Sequence, residues 1–259
     1  MSVAGPEFLD VDGTKIAVRL TKGAKTPGVV WLGGYRSDML GTKAVVLDDW
    51  AQKTGHSALR LDYSGHGESG GDFNHGTISR WLAESLAVYN HYAQGPQILV
   101  GSSMGGWIAL RMAQELQKRG KSPAGIVLIA PAPDFTALLV EASLTEAQKR
   151  DLEQQGYFEE PSEYSPNPYV YTRALIEDGR DNLVLKGIIE TGCPVHILQG
   201  MQDADVPYKH ATLLMEHLPV DDVTLTLVRD GDHRLSRPQD LDLLIRTVSG
   251  LAEHISPKA

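Results

Sequence analysis

The sequence predicts an α/β fold in which helices cover both faces of a mostly parallel central sheet. Two observations support this prediction: short apolar, β-branched runs alternate with longer segments of helical periodicity, and most strand-like runs are continuously apolar. A strand that is apolar on both sides must be covered on both faces, as in parallel sheets with crossover helices. The chain has 259 residues, of which 42% are hydrophobic and 22% charged. This is enough for a sizeable core, and we expect a single domain over residues 1–259.

Each predicted element follows from its own residue pattern. Residues 77–93 repeat apolar side chains at helical spacing after Thr77, which is suited to an N-cap, and Gly55 ends an earlier helical pattern. By the same criteria we expect strands at 14–20, 28–34, 57–65, 97–101, 125–133, 194–200 and 223–228. Helices are expected at 42–55, 77–93, 105–120, 208–218 and 240–255.

One segment, residues 134–192, interrupts this alternation. It contains a helical pattern at about 145–155, a Pro- and Tyr-rich stretch and a further helical piece, but no convincing strand. A connection of this length between two strands of a sheet is commonly a functional lid or a disordered linker. Its aromatic and apolar residues argue against disorder. We therefore expect residues 134–192 to form a helical cap.

Charge and cysteine content narrow the range of partners and sites. The net charge of −9 and the pI of about 5.4 disfavour nucleic acid or an anionic membrane surface as a partner. A single cysteine, Cys193, rules out an internal disulfide and a multi-cysteine metal site, and no metal site is expected. No apolar run is long enough to span a membrane. The N-terminal segment resembles neither a secretory signal nor a transit peptide, so we expect a cytoplasmic protein.

A nucleophile motif lies between the strand at 97–101 and the helix that follows it. The window Gly101-Ser102-Ser103-Met104-Gly105 fits Gly-x-Ser-x-Gly around Ser103, whereas Ser102 has Val100 where the pattern needs glycine. A serine on such a sharp strand-to-helix turn is strained and exposes its hydroxyl at the carboxyl edge of the sheet. The alternative is a tight turn with a capping serine. We expect Ser103 to be a nucleophile.

A serine hydroxyl needs a base and an orienting carboxylate to act as a nucleophile. On sheets with this motif, the acid and the histidine follow the serine in that order, on loops after late strands. His233 lies in a polar loop after the last strand, whereas the other histidines lie in helices, in a strand or before Ser103. Asp203 and Asp205 share the loop after the preceding strand. Their residue types leave the choice of acid between them open.

An oxyanion hole completes the predicted site. The backbone N–H of Met104, directly after the serine, supplies one donor. The loop after the strand at 28–34 supplies the second, which we assign to the N–H of Tyr35, because Gly33 and Gly34 let this backbone turn toward a bound carbonyl. The alternative for the two glycines is a simple turn at the end of a strand.

Candidate substrate contacts come from the elbow, this loop and the cap. They are Gly34, Arg36, Trp107, Tyr157 and Tyr164. Phe158, Tyr169 and Tyr171 could line the same pocket, although each cap aromatic could equally belong to the core of the cap. Arg36 or Arg234 could meet an anionic substrate, with a solvated surface position as the alternative.

Several blocks of the sequence together resemble one family. "GYRSDMLGTKA", "RLDYSGHGES", "GPQILVGSSMGGW", "GMQDADVP" and "DHR" resemble the α/β-hydrolase superfamily, and within it the group of α/β-hydrolase domain-containing protein ten and its bacterial relatives. The similarity runs from about residue 27 to 245. It implies an α/β-hydrolase fold with the cap inserted after the sixth strand. It also implies Ser103 as nucleophile, His233 as base, Asp203 as acid and no cofactor.

The resemblance also implies the reaction, since that group hydrolyses acyl esters and thioesters, including S-palmitoyl thioesters and acyl glucuronides. This chain has Gly33-Gly34 and Gln199-Gly200 at two positions where many α/β-hydrolases carry His-Gly. We expect a serine hydrolase that acts on a small-molecule acyl ester or thioester through an acyl-enzyme. The alternatives are a peptidase or C–C bond hydrolase with the same triad, or a non-catalytic binding protein of this fold. The sequence leaves the oligomeric state open.

Overall fold

The structure, a computed structural model, describes residues 5–161 and 168–255 of the chain. Its strands are β1 (Glu7–Val11), β2 (Thr14–Thr21), β3 (Lys25–Leu32), β4 (His56–Leu61), β5 (Gln97–Ser102), β6 (Gly125–Ile129), β7 (Tyr157–Glu160), β8 (Tyr169–Thr172), β9 (Val195–Gly200) and β10 (Val223–Val228). Its α-helices are α1 (Thr42–Thr54), α2 (Ile78–Tyr92), α3 (Met104–Gln117), α4 (Glu146–Gln154), α5 (Arg173–Asp181), α6 (Tyr208–Glu216) and α7 (Pro238–Ile255).

The main sheet has eight strands in the order β1-β2-β4-β3-β5-β6-β9-β10. In this order the neighbours β4, β3, β5, β6, β9 and β10 pair in parallel, whereas β1 with β2 and β2 with β4 pair antiparallel. The mostly parallel sheet predicted from the sequence is therefore confirmed. Because parallel strands end at one edge, the loops after β3, β5, β9 and β10 emerge on the same side of the sheet.

Side-chain alternation divides the strand residues between two cores, one on each face. On β3, Val29 and Trp31 pack with α1 and α7, whereas Val30 and Leu32 pack with α2, α3 and the cap. Residues of a strand point alternately to opposite faces. A run of four apolar residues therefore contributes side chains to both cores. This explains why successive residues of these strands are all apolar instead of alternating between apolar and polar.

The predicted ends of two helices are confirmed. Thr77 caps α2, its hydroxyl accepting a hydrogen bond from the N–H of Arg80 at 3.2 Å. Gly55 ends α1 in the left-handed conformation, with φ of +84°. One strand, β1, was not predicted, although the hairpin signal Asp12-Gly13 follows it. Both turn residues have positive φ, as a two-residue hairpin turn requires.

The cap lies between β6 and β9, in the region where the sequence predicts it. It holds α4 and α5 as expected, but the prediction that residues 134–192 contain no strand is wrong. Strands β7 and β8 pair antiparallel, Phe158 opposite Tyr171. Their four-residue length and the prolines between them hid this hairpin, although burial alternates along β7, with Phe158 fully buried between exposed neighbours.

The two ends of the cap are tied together by Asp134. This buried residue has φ of +57°, and its carboxylate accepts hydrogen bonds from the N–H groups of Val184 (2.8 Å) and Leu185 (2.8 Å). The first residue of the cap therefore holds the chain that leaves its last helix. In residues 5–161 and 168–255, no helix has both the length and the apolar character to cross a membrane.

Candidate active site

Ser103 lies on a strained turn between β5 and α3. Its φ of +52° and ψ of −119° are unusual for a residue with a side chain. The turn is held by its backbone: the N–H of Ser103 donates to the carbonyl of Ile129 (2.9 Å), and its carbonyl accepts from Ala132 (3.1 Å) and Gly106 (2.9 Å). These bonds keep the strained residue in place and present its side chain at the carboxyl edge of the sheet.

The glycines around Ser103 fill positions where a side chain would collide with backbone. A Cβ on Gly105 would lie 2.1 Å from the carbonyl oxygen of Leu32, and one on Gly101 would lie 2.4 Å from that of Gly105. Gly106 is less crowded, since its Cβ would meet Pro131 at 3.0 Å. These glycines therefore allow α3 to pack closely on the strands beside it.

The structure brings Ser103, His233 and Asp203 into one chain of hydrogen bonds. His233 Nδ1 lies 2.8 Å from Asp203 Oδ2, and His233 Nε2 lies 3.1 Å from Ser103 Oγ. Because a carboxylate only accepts, Nδ1 carries a proton, and in the neutral form of the imidazole Nε2 is then the acceptor that faces the serine hydroxyl. The Asp203 side chain is fully buried and that of His233 is 15% exposed. A neutral imidazole oriented in this way is ready to take the proton of the serine.

Asp203, and not Asp205, contacts His233. Asp203 Oδ1 accepts hydrogen bonds from the N–H groups of Asp205 (3.0 Å) and Val206 (2.7 Å), and Oδ2 also accepts from Gln199 Nε2 (3.0 Å). Asp205 is exposed. This turn directs the first carboxylate inward, toward His233, and the second outward.

The loop that carries His233 lies directly against the end of β9. A Cβ on Gly200 would be 2.4 Å from the carbonyl oxygen of Gly231, so only glycine allows this approach. From α1, Lys43 Nζ donates to the carbonyl of Arg234, the residue after His233. Burial, together with the charge of Arg234, lowers the pKa of Lys43 to about 8. Two elements therefore fix the position of the histidine loop.

The loop after β3 lies beside Ser103, as predicted for an oxyanion loop. A Cβ on Gly34 would be 3.4 Å from Ser103 Cβ and 3.3 Å from the carbonyl oxygen of Ser102. Among the described residues, no hydrogen-bond acceptor is found for the backbone N–H groups of Tyr35 and Met104. Both groups are therefore available to an oxygen bound at Ser103.

His66 supports this loop, a role that the sequence did not suggest. Its Nδ1–H donates to the carbonyl of Ser64 (3.1 Å), and its Nε2 accepts from the N–H of Arg36 (3.2 Å), which has φ of +56°. Burial lowers the pKa of His66 to about 4. The imidazole is therefore neutral at pH 7 and can accept this hydrogen bond.

The side chains of Tyr35 and Arg36 in this loop bind the cap. The Tyr35 hydroxyl donates to the carbonyl of Val170 on β8, and the ring stacks on Tyr171 at 5.6 Å between centroids. The Arg36 guanidinium lies 4.7 Å from the centre of the Phe73 ring and donates to a carbonyl of the cap. Both side chains connect the loop after β3 to the hairpin, and burial raises the pKa of Tyr35.

The other predicted substrate contacts have different surroundings. Trp107 is fully buried, and its indole N–H donates to the carbonyl of Asn182 (3.0 Å). It lies at the junction of α3 and the cap, where its ring also packs edge-on against Phe135. Tyr157 is 38% exposed and lines a cavity of about 590 Å³ between the cap hairpin and the turn at Phe73–His75. Tyr164 lies outside the described residues.

Comparison with known proteins identifies the family. The sequence profile of the alpha/beta hydrolase family matches residues 29–242. The chain belongs to this family. Among its relatives is "Palmitoyl-protein thioesterase ABHD10, mitochondrial" of Mus musculus, which is 35% identical over 242 residues, covering 93% of this chain and 80% of the mouse protein.

Solved structures agree with the fold of this hydrolase. The crystal structure of a protein from Agrobacterium vitis S4 superposes on this chain with a TM-score of 0.91. The two sequences are 57% identical, and the match covers 96% of this chain and 97% of that one. Mouse alpha/beta hydrolase domain-containing protein 10 has 32% identity and a TM-score of 0.87, covering 98% of this chain and 100% of that one. The resemblance noted in the sequence is confirmed for both the fold and the family.

The hydrolase therefore has a serine hydroxyl that is hydrogen-bonded to an imidazole, and a buried carboxylate that is hydrogen-bonded to the other nitrogen of that imidazole. Two backbone N–H groups lie beside the serine. This arrangement can perform nucleophilic attack on a carbonyl carbon. Among the residues that the structure describes, no group of three or more His, Cys, Asp or Glu side chains could hold a metal ion.

Proposed function

We propose that this hydrolase cleaves carboxylic ester or thioester bonds through Ser103, His233 and Asp203. The observation that carries the proposal is the unbroken chain of hydrogen bonds from Ser103 Oγ through the imidazole to Asp203, with 3.1 Å and 2.8 Å between the paired atoms. A serine on a strained turn, bonded to a base that is itself oriented by an acid, is the arrangement used by serine hydrolases.

The reaction begins when Ser103 Oγ attacks the carbonyl carbon of the substrate and its proton passes to His233 Nε2. The carbonyl oxygen becomes an oxyanion, which the N–H groups of Tyr35 and Met104 stabilise. Preorganised donors of this kind contribute about 3–4 kcal/mol each to the stability of the transition state. Asp203 stabilises the imidazolium that has formed.

The tetrahedral intermediate then breaks down. The bond from carbon to the leaving oxygen or sulfur breaks, and His233 gives its proton to the alcohol or thiol, which leaves an ester between the acyl group and Ser103. A water molecule attacks this acyl-enzyme while His233 takes a proton from it. The carboxylic acid leaves, and the proton returns to Ser103 Oγ.

Thioesters are included in the substrate class because the mouse relative is named a palmitoyl-protein thioesterase. The mechanism itself serves oxygen and sulfur leaving groups alike, since His233 delivers its proton to either. Amides are harder substrates because an amine leaves only after protonation. A substrate series matched in its acyl part therefore separates an esterase or thioesterase from a peptidase that uses the same three side chains.

The test compares nitrophenyl esters, acyl thioesters, anilides and vinylogous ketones over a series of acyl lengths. We expect turnover of esters and thioesters that exceeds turnover of anilides and ketones. Ser103→Ala should lower kcat by about 10⁴-fold or more. Ser102→Ala is the matched control, since Ser102 ends β5 next to the nucleophile and lies outside the hydrogen-bond chain. Equal activity of Ser103→Ala and wild type would overturn the proposal.

A further inference from the structure

We propose that Gln199 is a positioning residue that holds the Asp203 carboxylate toward His233 and moderates its charge. The inference rests on the proposed function, because it assigns Asp203 as the acid behind His233. It starts from the buried side-chain amide of Gln199 near the end of β9.

Gln199 lies one residue before the end of β9 and is completely buried. Its Nε2 faces three acceptors: Asp203 Oδ2 at 3.0 Å, the carbonyl of Gly200 at 3.1 Å and the carbonyl of Val206 at 3.1 Å. The amide therefore joins the end of β9 to both ends of the turn that carries Asp203.

The chemistry of these neighbours fixes the orientation of the amide. Turning it by 180° would place Oε1 against a carboxylate oxygen and two carbonyl oxygens, with no donor to bond it. In the observed orientation Oε1 is buried, and among the described residues no donor reaches it. A buried, unpaired carbonyl is costly, and an apolar side chain of similar size would avoid the cost. The function of Gln199 therefore lies in its Nε2 donors.

The oxygen that Gln199 contacts is the one that His233 contacts. Asp203 Oδ2 accepts from both Gln199 Nε2 (3.0 Å) and His233 Nδ1 (2.8 Å). Each donor withdraws part of the negative charge of that oxygen. Removing the glutamine donor leaves more charge facing the imidazole, so the imidazolium becomes more favourable and a higher pH is needed to regain the neutral base. A purely structural role predicts no such shift.

Other charged groups near His233 are the same in each variant. Asp232 and Arg234 flank His233 on its own loop, Lys43 donates to this loop from α1, and Asp205 follows Asp203 on the neighbouring loop. Since none of them is altered, their effects on the pH profile cancel between wild type and a Gln199 variant.

The experiment measures kcat and KM for a nitrophenyl ester from pH 5 to pH 9. For Gln199→Met, which keeps the length and removes the donor, we expect kcat to fall about tenfold and KM to stay within about twofold. The acidic limb of kcat/KM should move up by about half a pH unit or more. An unmoved or lowered limb, or a change confined to KM, would overturn the proposal.

Gln199→Glu is the isosteric companion, which keeps shape and replaces a donor by an acceptor. At low pH the new carboxyl is protonated and still donates to Asp203 Oδ2, so activity should approach that of wild type. As the pH rises the proton is lost, two carboxylates face each other and activity should fall while wild type stays on its plateau. A pH profile identical to that of wild type would show that only shape matters and would overturn the proposal.

These outcomes are separable from failure of the proposed function. Activity that survives Ser103→Ala would disprove the mechanism without any change at Gln199. If Ser103→Ala is inactive and both Gln199 variants keep wild-type profiles, the mechanism stands and the role of Gln199 is wrong.

Discussion

The two ends of the hydrogen-bond chain in this hydrolase are fixed by different physical means. Ser103 is held by its backbone, in a strained turn with φ of +52° where neighbouring positions leave no room for a Cβ. Asp203 is held by polar contacts: its carboxylate accepts four hydrogen bonds, from Gln199, Asp205, Val206 and His233. The nucleophile end depends on crowding, and the acid end depends on donors.

This difference indicates which change each end will not tolerate. At the serine end an added methyl group is harmful even though no polar contact is lost. At the acid end, a substitution that keeps the shape and alters the donor pattern is harmful even though nothing collides.

The largest effect is expected for Asp203→Asn, which keeps the shape of the acid. Two backbone N–H groups bind Oδ1, so the new amide nitrogen would take the place of Oδ2 and meet the donors of His233 and Gln199. His233 would then adopt the tautomer with its proton on Nε2, which cannot accept the serine proton. We expect kcat to fall about 10⁴-fold in ester hydrolysis.

Asp205→Asn provides the matched control on the same loop. It changes an exposed carboxylate two residues away and leaves the backbone donor to Asp203 in place. Its kcat should remain close to that of wild type. Loss of activity in this variant together with retention in Asp203→Asn would reverse the assignment of the acid.

The second effect concerns crowding at the elbow. Gly105→Ala would place a methyl group 2.1 Å from the carbonyl oxygen of Leu32, so α3 must move away from β3. We expect the free energy of unfolding to fall by about 3 kcal/mol or more, measured by urea denaturation. Gly250→Ala on α7 has no atom within 4 Å of its new methyl group and should stabilise the protein by about 0.5–1 kcal/mol. Wild-type stability of Gly105→Ala would refute the steric half of the comparison.

The smallest effect concerns His66, which supports the oxyanion loop. Burial lowers the pKa of His66 to about 4, whereas an unfolded histidine titrates near 6.5. Between these values the unfolded state binds more protons, so the free energy of unfolding decreases as the pH falls from 6.5 to 4. From pH 7 to pH 5 the expected loss due to His66 is about 2 kcal/mol.

His66→Gln isolates this contribution, since an amide oxygen can still accept from the N–H of Arg36 but does not titrate. The raised pKa values of buried Asp62 and Asp134 act in the opposite direction and are common to both proteins. Chemical denaturation at pH 7 and pH 5 should show a smaller loss of stability for the variant. Equal losses in the two proteins would contradict the burial of a neutral imidazole.

The serine end was more predictable from the sequence than the acid end. The pattern around Ser103 is local, and each glycine in it lies where adjacent elements leave little room for a side chain. Asp203 and Asp205 lie on one loop with the same side chain, so only the folded turn distinguishes them. No sequence pattern pointed to a contact between Gln199 and Asp203, because this contact depends on how the chain turns after β9.

The cap was the least predictable region. Its helices carry periodic patterns, whereas β7 and β8 have four residues each, too few for a clear alternation. Trp107 lies four residues after Ser103, but nearness in the sequence does not show which way a helix residue faces. In the structure that side chain points to the junction with the cap.

The most direct test of the central claim is labelling with a fluorophosphonate, followed by mass spectrometry of the modified peptide. The mechanism predicts one label per chain of wild-type protein, on Ser103, and none on Ser103→Ala. Ser102→Ala should label as wild type does. Labelling of Ser103→Ala at the wild-type rate, with ester hydrolysis retained, would contradict the assignment of the nucleophile and the mechanism built on it.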